Sequence, residues 1–274
     1  MGPALSVVRV NRPDMATSDR GGEAEKVRLW AGSIAAVPRS WAACVSAWER
    51  ELAGRFRRGT DRVASLARHA VLRHILGEQL GLPPGDVPLT RAVCSDCQVP
   101  HGRPEIEVPG ISISFSVSSG RWLFGMASNA VFGVDLERAD RDIVGVRHLA
   151  FTAAEQFQIT RYAGAHASDS CSAVAVWVVK EAAAKADGRG LRQDLRELRW
   201  LPATTRNPLQ TVGAGPARWT GIDGELFGSH RFAALWAGAT APVDTVPVWR
   251  WMPLGRLDTR LSTWHTVISL RSIP

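Results

Sequence analysis

The chain has 274 residues, 45% of them hydrophobic and 22% charged, which is typical of a globular protein large enough to bury a substantial core. Its 33 Lys and Arg residues against 26 Asp and Glu residues give a net charge of +7, which favours an acidic partner or a phosphate-rich ligand. The chain has no apolar run of ~20 residues and no signal-peptide core, so it is expected to be cytoplasmic and not to bind a membrane. It has no long basic run, so it is not expected to bind nucleic acid. Its four cysteines are too few for a disulfide framework.

The first part of the chain predicts a tail, a strand and two helices. Residues 1–26 show no period and little to bury, and they predict a flexible tail. Val27–Ala31 alternates loosely and predicts a strand. Trp41–Arg55 and Asp61–Leu80 place apolar residues at helical spacing, and the second of these helices is expected to stop at Gly81.

The middle of the chain contains a cysteine pair and two predicted strands. Cys94 and Cys97 allow a zinc site, but a closed structural site needs four ligands and no second pair has suitable spacing. Ile111–Ser118 alternates with period two and predicts a strand. A turn at Ser119-Gly120 and a second strand over Trp122–Ala127 follow it.

Two carboxylates stand one residue apart in the apolar run of residues 132–137. In an extended strand the side chains at i and i+2 point to the same face, so Asp135 and Glu137 are expected side by side. Two like charges this close repel or share a proton unless a cation lies between them. The strand therefore indicates a cation site or a shared proton.

An alanine-rich helical run begins about forty residues later and is stopped by two glycines. Trp177, Glu181 and Lys185 are spaced four residues apart and share one face of this helix. Three carboxylates suit a hard divalent ion such as Mg²⁺, which usually completes its shell with waters and substrate phosphates. The adjacent lysine suits a phosphate oxygen.

These two motifs carry a family resemblance. Residues 133–137 read G-V-D-L-E and residues 177–191 read W-V-V-K-E-A-A-A-K-A-D-G-R-G-L. In this order and at this separation they resemble the signature of the 4'-phosphopantetheinyl transferases, in the surfactin-synthetase-type class that carries both halves of the fold in one chain.

The resemblance implies an α+β fold of two similar α/β halves, each a small antiparallel sheet packed with helices, related by a pseudo-twofold axis. The expected halves are residues 27–130 and residues 131–248, the second carrying the metal site, with a C-terminal extension over 249–274. Arg231–Ala237 echoes Arg121–Ala127, each after a short Ser/Gly turn, as two similar halves would.

The resemblance also implies the reaction. The enzyme, of the holo-[acyl-carrier-protein] synthase type, would move 4'-phosphopantetheine from coenzyme A to a serine of an acidic acyl or peptidyl carrier protein and release 3',5'-ADP. A Mg²⁺ ion would be held by Asp135, Glu137 and Glu181. Glu181, directly or through a metal-bound water, is the expected base, Lys185 would neutralise phosphate charge, and the protein is expected to be a monomer.

The coenzyme contacts implied by the resemblance come mainly from the N-terminal half. They are Arg73, Gly102, Arg103, Pro104, Ser118, Ser119 and Lys185. The family's serine-histidine-serine turn corresponds here to Ser118-Ser119-Gly120, so a histidine that grips a coenzyme phosphate is missing, and Arg121 could compensate for it.

The missing histidine motivates a second hypothesis, a catalytically impaired paralogue that binds coenzyme A or a carrier protein without transfer. A third hypothesis, a phosphate-ester hydrolase, lacks a nucleophile motif.

Thr152 and Glu155 predict a capping box at a helix start, and Glu155 also matches a glutamate that the family places near the metal.

Overall fold

The computed structural model describes residues 5–11, 27–93, 98–99, 102–166, 169–201, 210–237 and 248–254. The strands of these ranges are β1 Leu5–Asn11, β2 Val27–Ser33, β3 Leu89–Arg91, β4 Pro104–Ile106, β5 Ile111–Ser118, β6 Arg121–Ser128, β7 Val131–Arg138, β8 Arg199–Leu201, β9 Gln210–Ala214, β10 Ala217–Leu226, β11 His230–Ala237 and β12 Val248–Leu254. The α-helices are α1 Ala47–Gly54, α2 Gly59–Leu80, α3 Arg147–Ala150, α4 Ala153–His166 and α5 Asp169–Asp187. None of the helices in these ranges is long and apolar enough to cross a membrane.

The strands form two five-stranded antiparallel sheets and a small two-stranded one. The first sheet has the order β12-β1-β2-β6-β5, the second has the order β7-β11-β10-β9-β8, and β3 pairs with β4. Helices together with antiparallel sheets confirm the α+β class. The pseudo-twofold relation between two halves stays a prediction.

The two large sheets pack face to face between helices. Side chains of β2 and β6 on one sheet share a buried cluster with those of β7, β10 and β11 on the other. On its opposite face the first sheet buries Trp30, Trp122 and Phe124 against α2. The second sheet packs its opposite face on α4 and α5, so the order of layers is helix, sheet, sheet, helix.

The strands and the second helix predicted in the N-terminal part are confirmed. β2, β5 and β6 cover the predicted strands, and α2 ends where Gly81 takes a left-handed φ of +69°. The first predicted helix, Trp41–Arg55, is wrong in its first half. Arg39–Cys44 is a 3₁₀ turn, Val45 is extended, and Ser46 then caps a new helix by a reciprocal capping box with Glu49.

The N-terminal tail differs from its prediction where it is described. Leu5–Asn11 forms β1, which pairs with β2 on one side and with β12 on the other. Three valines in this stretch favour a strand, but they do not alternate regularly, so the polar residues that follow dominated the prediction. Residues 12–26, the Cys94 and Cys97 pair and residues 255–274 lie outside the described residues, and the predicted domain boundaries stay predictions.

Candidate active site

The site forms where helix α5 lies unusually close to strand β7. A Cβ on Gly133 would overlap the carbonyl oxygen of Ala182 and the amide nitrogen of Ala186. The buried face of α5 is lined with alanines, whose small side chains allow the same close approach. This contact brings Asp135 on the strand next to the helix face that carries Glu181 and Lys185.

Asp135 is almost fully buried, with 1% exposure, and its two oxygens differ in their surroundings. Oδ1 accepts hydrogen bonds from Lys185 Nζ at 2.6 Å and from Ser116 Oγ at 2.8 Å. Oδ2 is buried without a hydrogen-bond partner among the described residues. Because a buried carboxylate oxygen is costly to leave unpaired, Oδ2 is the atom at which a ligand would gain most.

Glu181 is buried beside Asp135. Burial, and then the charge of Asp135, raise the pKa of Glu181 to about 7, although Lys185 and Arg141 act in the opposite direction. A buried carboxyl group beside a second carboxyl group that has an unpaired oxygen suits a hard divalent cation. The donor set of Asp135 and Glu181 therefore fits Mg²⁺.

Glu137, the third predicted ligand, is placed differently. Its Oε1 forms an ion pair with Arg141, and its Oε2 accepts a hydrogen bond from Ser118 Oγ at 2.8 Å. Among the residues that the structure describes, no three His, Cys, Asp or Glu side chains are grouped as a metal site. The structure thus brings Asp135 and Glu181 together, while Glu137 would have to leave Arg141 to join them.

The predicted glycine-arginine-proline motif lies at the end of α5. Arg103 Nη1 donates to the carbonyl oxygens of Lys185 at 2.9 Å and Ala186 at 3.3 Å, and its Nε donates to Glu105 at 3.2 Å. A Cβ on Gly102 would overlap the carbonyl oxygen of Ala92, which explains the glycine. The guanidinium of Arg103 therefore caps the C-terminal end of α5, the helix from which Lys185 contacts Asp135.

A small cavity adjoins this motif. Its volume is about 130 Å³, and both polar and apolar side chains line it. The lining residues include Arg103, Pro104, Ser112, Val131 and Phe132. The cavity thus lies between the predicted coenzyme motif and the first residues of β7.

Arg73, a predicted coenzyme contact, lies inside a structural network. It is buried, and its Nε donates to Glu49 Oε2 at 2.8 Å. Its Nη1 faces the carbonyl oxygens of Pro84, Gly85 and Val87 at 3.2–3.3 Å. The Nε and Nη1 donors of Arg73, which a phosphate would need, are therefore already bonded within the protein. Through these bonds Arg73 holds α2 to the loop that follows it.

The turn without the family histidine is tight. Ser119 and Gly120 take φ values of +47° and +74°, as a two-residue hairpin turn requires. His230 reaches this turn from β11, with Nε2 3.3 Å from the carbonyl oxygen of Ser118. The guanidinium of Arg121 lies 4.8 Å from the ring centre of Phe227. Sequence reasoning missed His230, since over one hundred residues separate it from the turn.

Glu155 forms the predicted capping box and more. Its Oε2 accepts from the Thr152 amide at 2.8 Å and from the buried ammonium of Lys180 at 2.8 Å. Its Oε1 accepts from the amide of Trp200 at 2.8 Å. With both carboxylate oxygens bonded inside the protein, Glu155 links α4, α5 and β8. This structural role is separate from the position near the metal that the resemblance implies.

One comparison bears on this geometry. Residues 131–237 match the family model of the 4'-phosphopantetheinyl transferase superfamily. A comparison with curated proteins gave no match for this chain. The matched segment runs from β7 to β11 and includes both signature motifs.

The superfamily match supports a transferase and, in general terms, phosphopantetheine transfer. Asp135, Glu137, Glu181 and Lys185 all lie within the segment that matches the phosphopantetheinyl transferases. The predicted coenzyme contacts from Arg73 to Ser119 lie before the matched segment, and these roles stay predictions. The surfactin-synthetase-type class stays a prediction.

Proposed function

We propose that this protein transfers the 4'-phosphopantetheine group from coenzyme A to a serine of an acidic acyl or peptidyl carrier protein, with Mg²⁺, and releases 3',5'-ADP. The observation that carries the proposal is the cluster formed by the buried Asp135 and Glu181 with the part-exposed Lys185, within the segment that matches the phosphopantetheinyl transferases. The net charge of +7 supports an acidic partner.

Asp135 and Glu181 would hold the Mg²⁺, with Asp135 Oδ2 as the free ligand atom. When bound, the ion supplies positive charge to the phosphate oxygens during transfer. Lys185 would reach a phosphate oxygen from its place beside Asp135, because its side chain is 28% exposed. Glu137 would complete the shell only after releasing Arg141.

The reaction would be an in-line displacement. The serine oxygen of the carrier forms a bond to the proximal phosphorus of the pyrophosphate, and the bond from that phosphorus to 3',5'-ADP breaks. Glu181 would accept the serine proton, because a carboxylate within reach of the attacking hydroxyl can act as a general base. Positioning and charge neutralisation would supply most of the rate.

The coenzyme would enter between the two sheets. The cavity at Arg103 and Pro104 leads to β7, and the turn at Ser118 and Ser119 adjoins Glu137. Arg121, which follows this turn and lies over the Phe227 ring, would supply the cation in place of the family's histidine. We also propose the holo-[acyl-carrier-protein] synthase type, the two-halved single-chain class, a monomeric state and a cytoplasmic location.

The deciding experiment incubates the full chain with coenzyme A, Mg²⁺ and apo carrier proteins of acyl and peptidyl type, followed by intact-mass spectrometry. We expect the carrier to gain the mass of one phosphopantetheine, and a carrier with its acceptor serine replaced by alanine to gain none. Binding of coenzyme A or carrier without any mass gain on any carrier would instead support the impaired paralogue. Release of inorganic phosphate would support a hydrolase.

The pKa of Glu181 predicts how Mg²⁺ binding depends on pH. A proton and Mg²⁺ compete for the same carboxylate, so the apparent Mg²⁺ affinity should fall about tenfold for each pH unit below 7 and level off above 7. Calorimetric titration with Mg²⁺ in two buffers of different ionisation enthalpy measures the affinity and the protons released. Glu181→Gln is the control and should remove this step; an affinity that stays constant from pH 6 to 8 in the unmodified chain would contradict the assignment.

A further inference from the structure

Ser116 occupies a position at which three separate elements meet. It lies on β5 of the first sheet, and its side chain is buried, with 7% exposure for the residue. Its Oγ is 2.8 Å from Asp135 Oδ1 on β7 and 3.1 Å from Lys185 Nζ on α5. Together with the 2.6 Å bond between Lys185 and Asp135, these contacts close a triangle of three side chains.

The chemistry of the triangle requires a hydroxyl at its third corner. A carboxylate only accepts hydrogen bonds and an ammonium only donates them, whereas a hydroxyl does both. Ser116 therefore donates to Asp135 and accepts from Lys185. An alanine at this position would neither donate nor accept, so Asp135 and Lys185 would each lose one hydrogen bond.

The triangle also fixes the rotation of the carboxylate. Both donors, Ser116 and Lys185, bind the same atom, Oδ1, and Oδ2 is left buried without a partner in the described part of the chain. If the carboxylate rotated out of its present plane, neither of its oxygens would lie where both donors meet. A second donor on Oδ1 opposes this, because hydrogen bonds to charged groups are among the stronger ones in proteins.

We propose that Ser116 is a positioning residue of the site, which holds Asp135 so that Oδ2 points to a divalent cation and keeps Lys185 within reach of the same ligand. The proposal rests on the proposed function for its choice of Mg²⁺. It adds a residue from the first sheet to a site whose signature motifs lie on β7 and α5. Groups that orient a metal ligand typically change metal affinity or activity by about 10- to 100-fold when removed.

The neighbouring serines of β5 supply a matched control. Ser114, Ser116 and Ser118 all bond groups on β7, but Ser114 Oγ accepts from the backbone amide of Val134 at 3.0 Å. Ser114→Ala therefore removes one hydroxyl from the same strand and the same seam between the sheets without touching a site carboxylate. Its effect on Mg²⁺ affinity and on stability shows what the loss of one hydroxyl between the two sheets causes by itself.

The experiment compares Ser116→Ala, Ser114→Ala and Ser116→Thr in the full chain. Mg²⁺ affinity is measured by calorimetry without coenzyme or carrier, and thermal stability is measured in parallel. We expect Ser116→Ala to weaken Mg²⁺ binding about tenfold or more, Ser114→Ala to leave it unchanged, and Ser116→Thr to recover most of it because the hydroxyl is kept.

The outcomes separate this inference from the proposed function. The positioning role would be overturned if Ser116→Ala bound Mg²⁺ as tightly as the unmodified chain and lost only as much stability as Ser114→Ala. A failure of the unmodified chain to bind Mg²⁺ would overturn it as well. Absence of mass gain on carrier proteins, with the Mg²⁺ differences intact, would contradict the proposed function and leave the role of Ser116 supported.

Discussion

Replacing Asp135 by asparagine is expected to reduce the rate of carrier modification about a hundredfold or more while the protein stays folded. The amide keeps the shape of the side chain but removes the charge that attracts Lys185 and a divalent ion. Glu181→Gln should have a similar effect, since it removes the second ligand and the proposed base. Intact-mass spectrometry of the carrier at saturating Mg²⁺ and coenzyme A gives both rates.

Asp140→Asn is the matched control for this result. Asp140 lies five residues beyond Asp135, is exposed, and forms its ion pair with Arg138 rather than with a site residue. Its replacement should leave the rate within about twofold, because exposed ion pairs contribute little. Near-normal rates in both Asp135→Asn and Glu181→Gln would refute the metal assignment and the base together.

The second large effect is on stability. Glu155→Ala is expected to lower the free energy of unfolding by about 3–5 kcal/mol, because it leaves the fully buried ammonium of Lys180 without its carboxylate. It also leaves the amide of Trp200 without its acceptor. Burial already lowers the pKa of Lys180, although Glu155 partly offsets this. Urea unfolding followed by circular dichroism at pH 7 measures the loss.

Two further variants test the cause of that loss. Glu51→Ala removes an exposed carboxylate that pairs with Arg55 and should change stability little. Adding Lys180→Met to Glu155→Ala should restore part of the stability, since the double variant no longer buries an unpaired charge. A Glu155→Ala protein as stable as Glu51→Ala would show that the buried pair contributes no more than a surface pair.

Much of the local structure follows from the sequence. The period of Ile111–Ser118, the glycine after α2 and the capping box at Thr152 are short-range signals, and they predicted β5, the end of α2 and the start of α4. The first predicted helix failed because Ser46 and Glu49 form a second short-range signal, a capping box that divides the apolar pattern.

The chemistry of the site was also visible in part. Asp135, Glu181 and Lys185 follow from the strand and helix periods, because each motif fixes its own side chains to one face. How α5 would meet β7 was decided by tertiary packing at Gly133. Neither motif by itself contains that contact.

The remaining roles were decided by residues that meet only in the folded protein. Arg73 turns to Glu49, and Ser116 joins Asp135 to Lys185 from another sheet. The sequence determined which residues carry charge and hydroxyl groups and on which face of an element each lies. Which partner neutralises each charge depends on distances between segments far apart in the chain, and only the packing of the two sheets and α5 decided it.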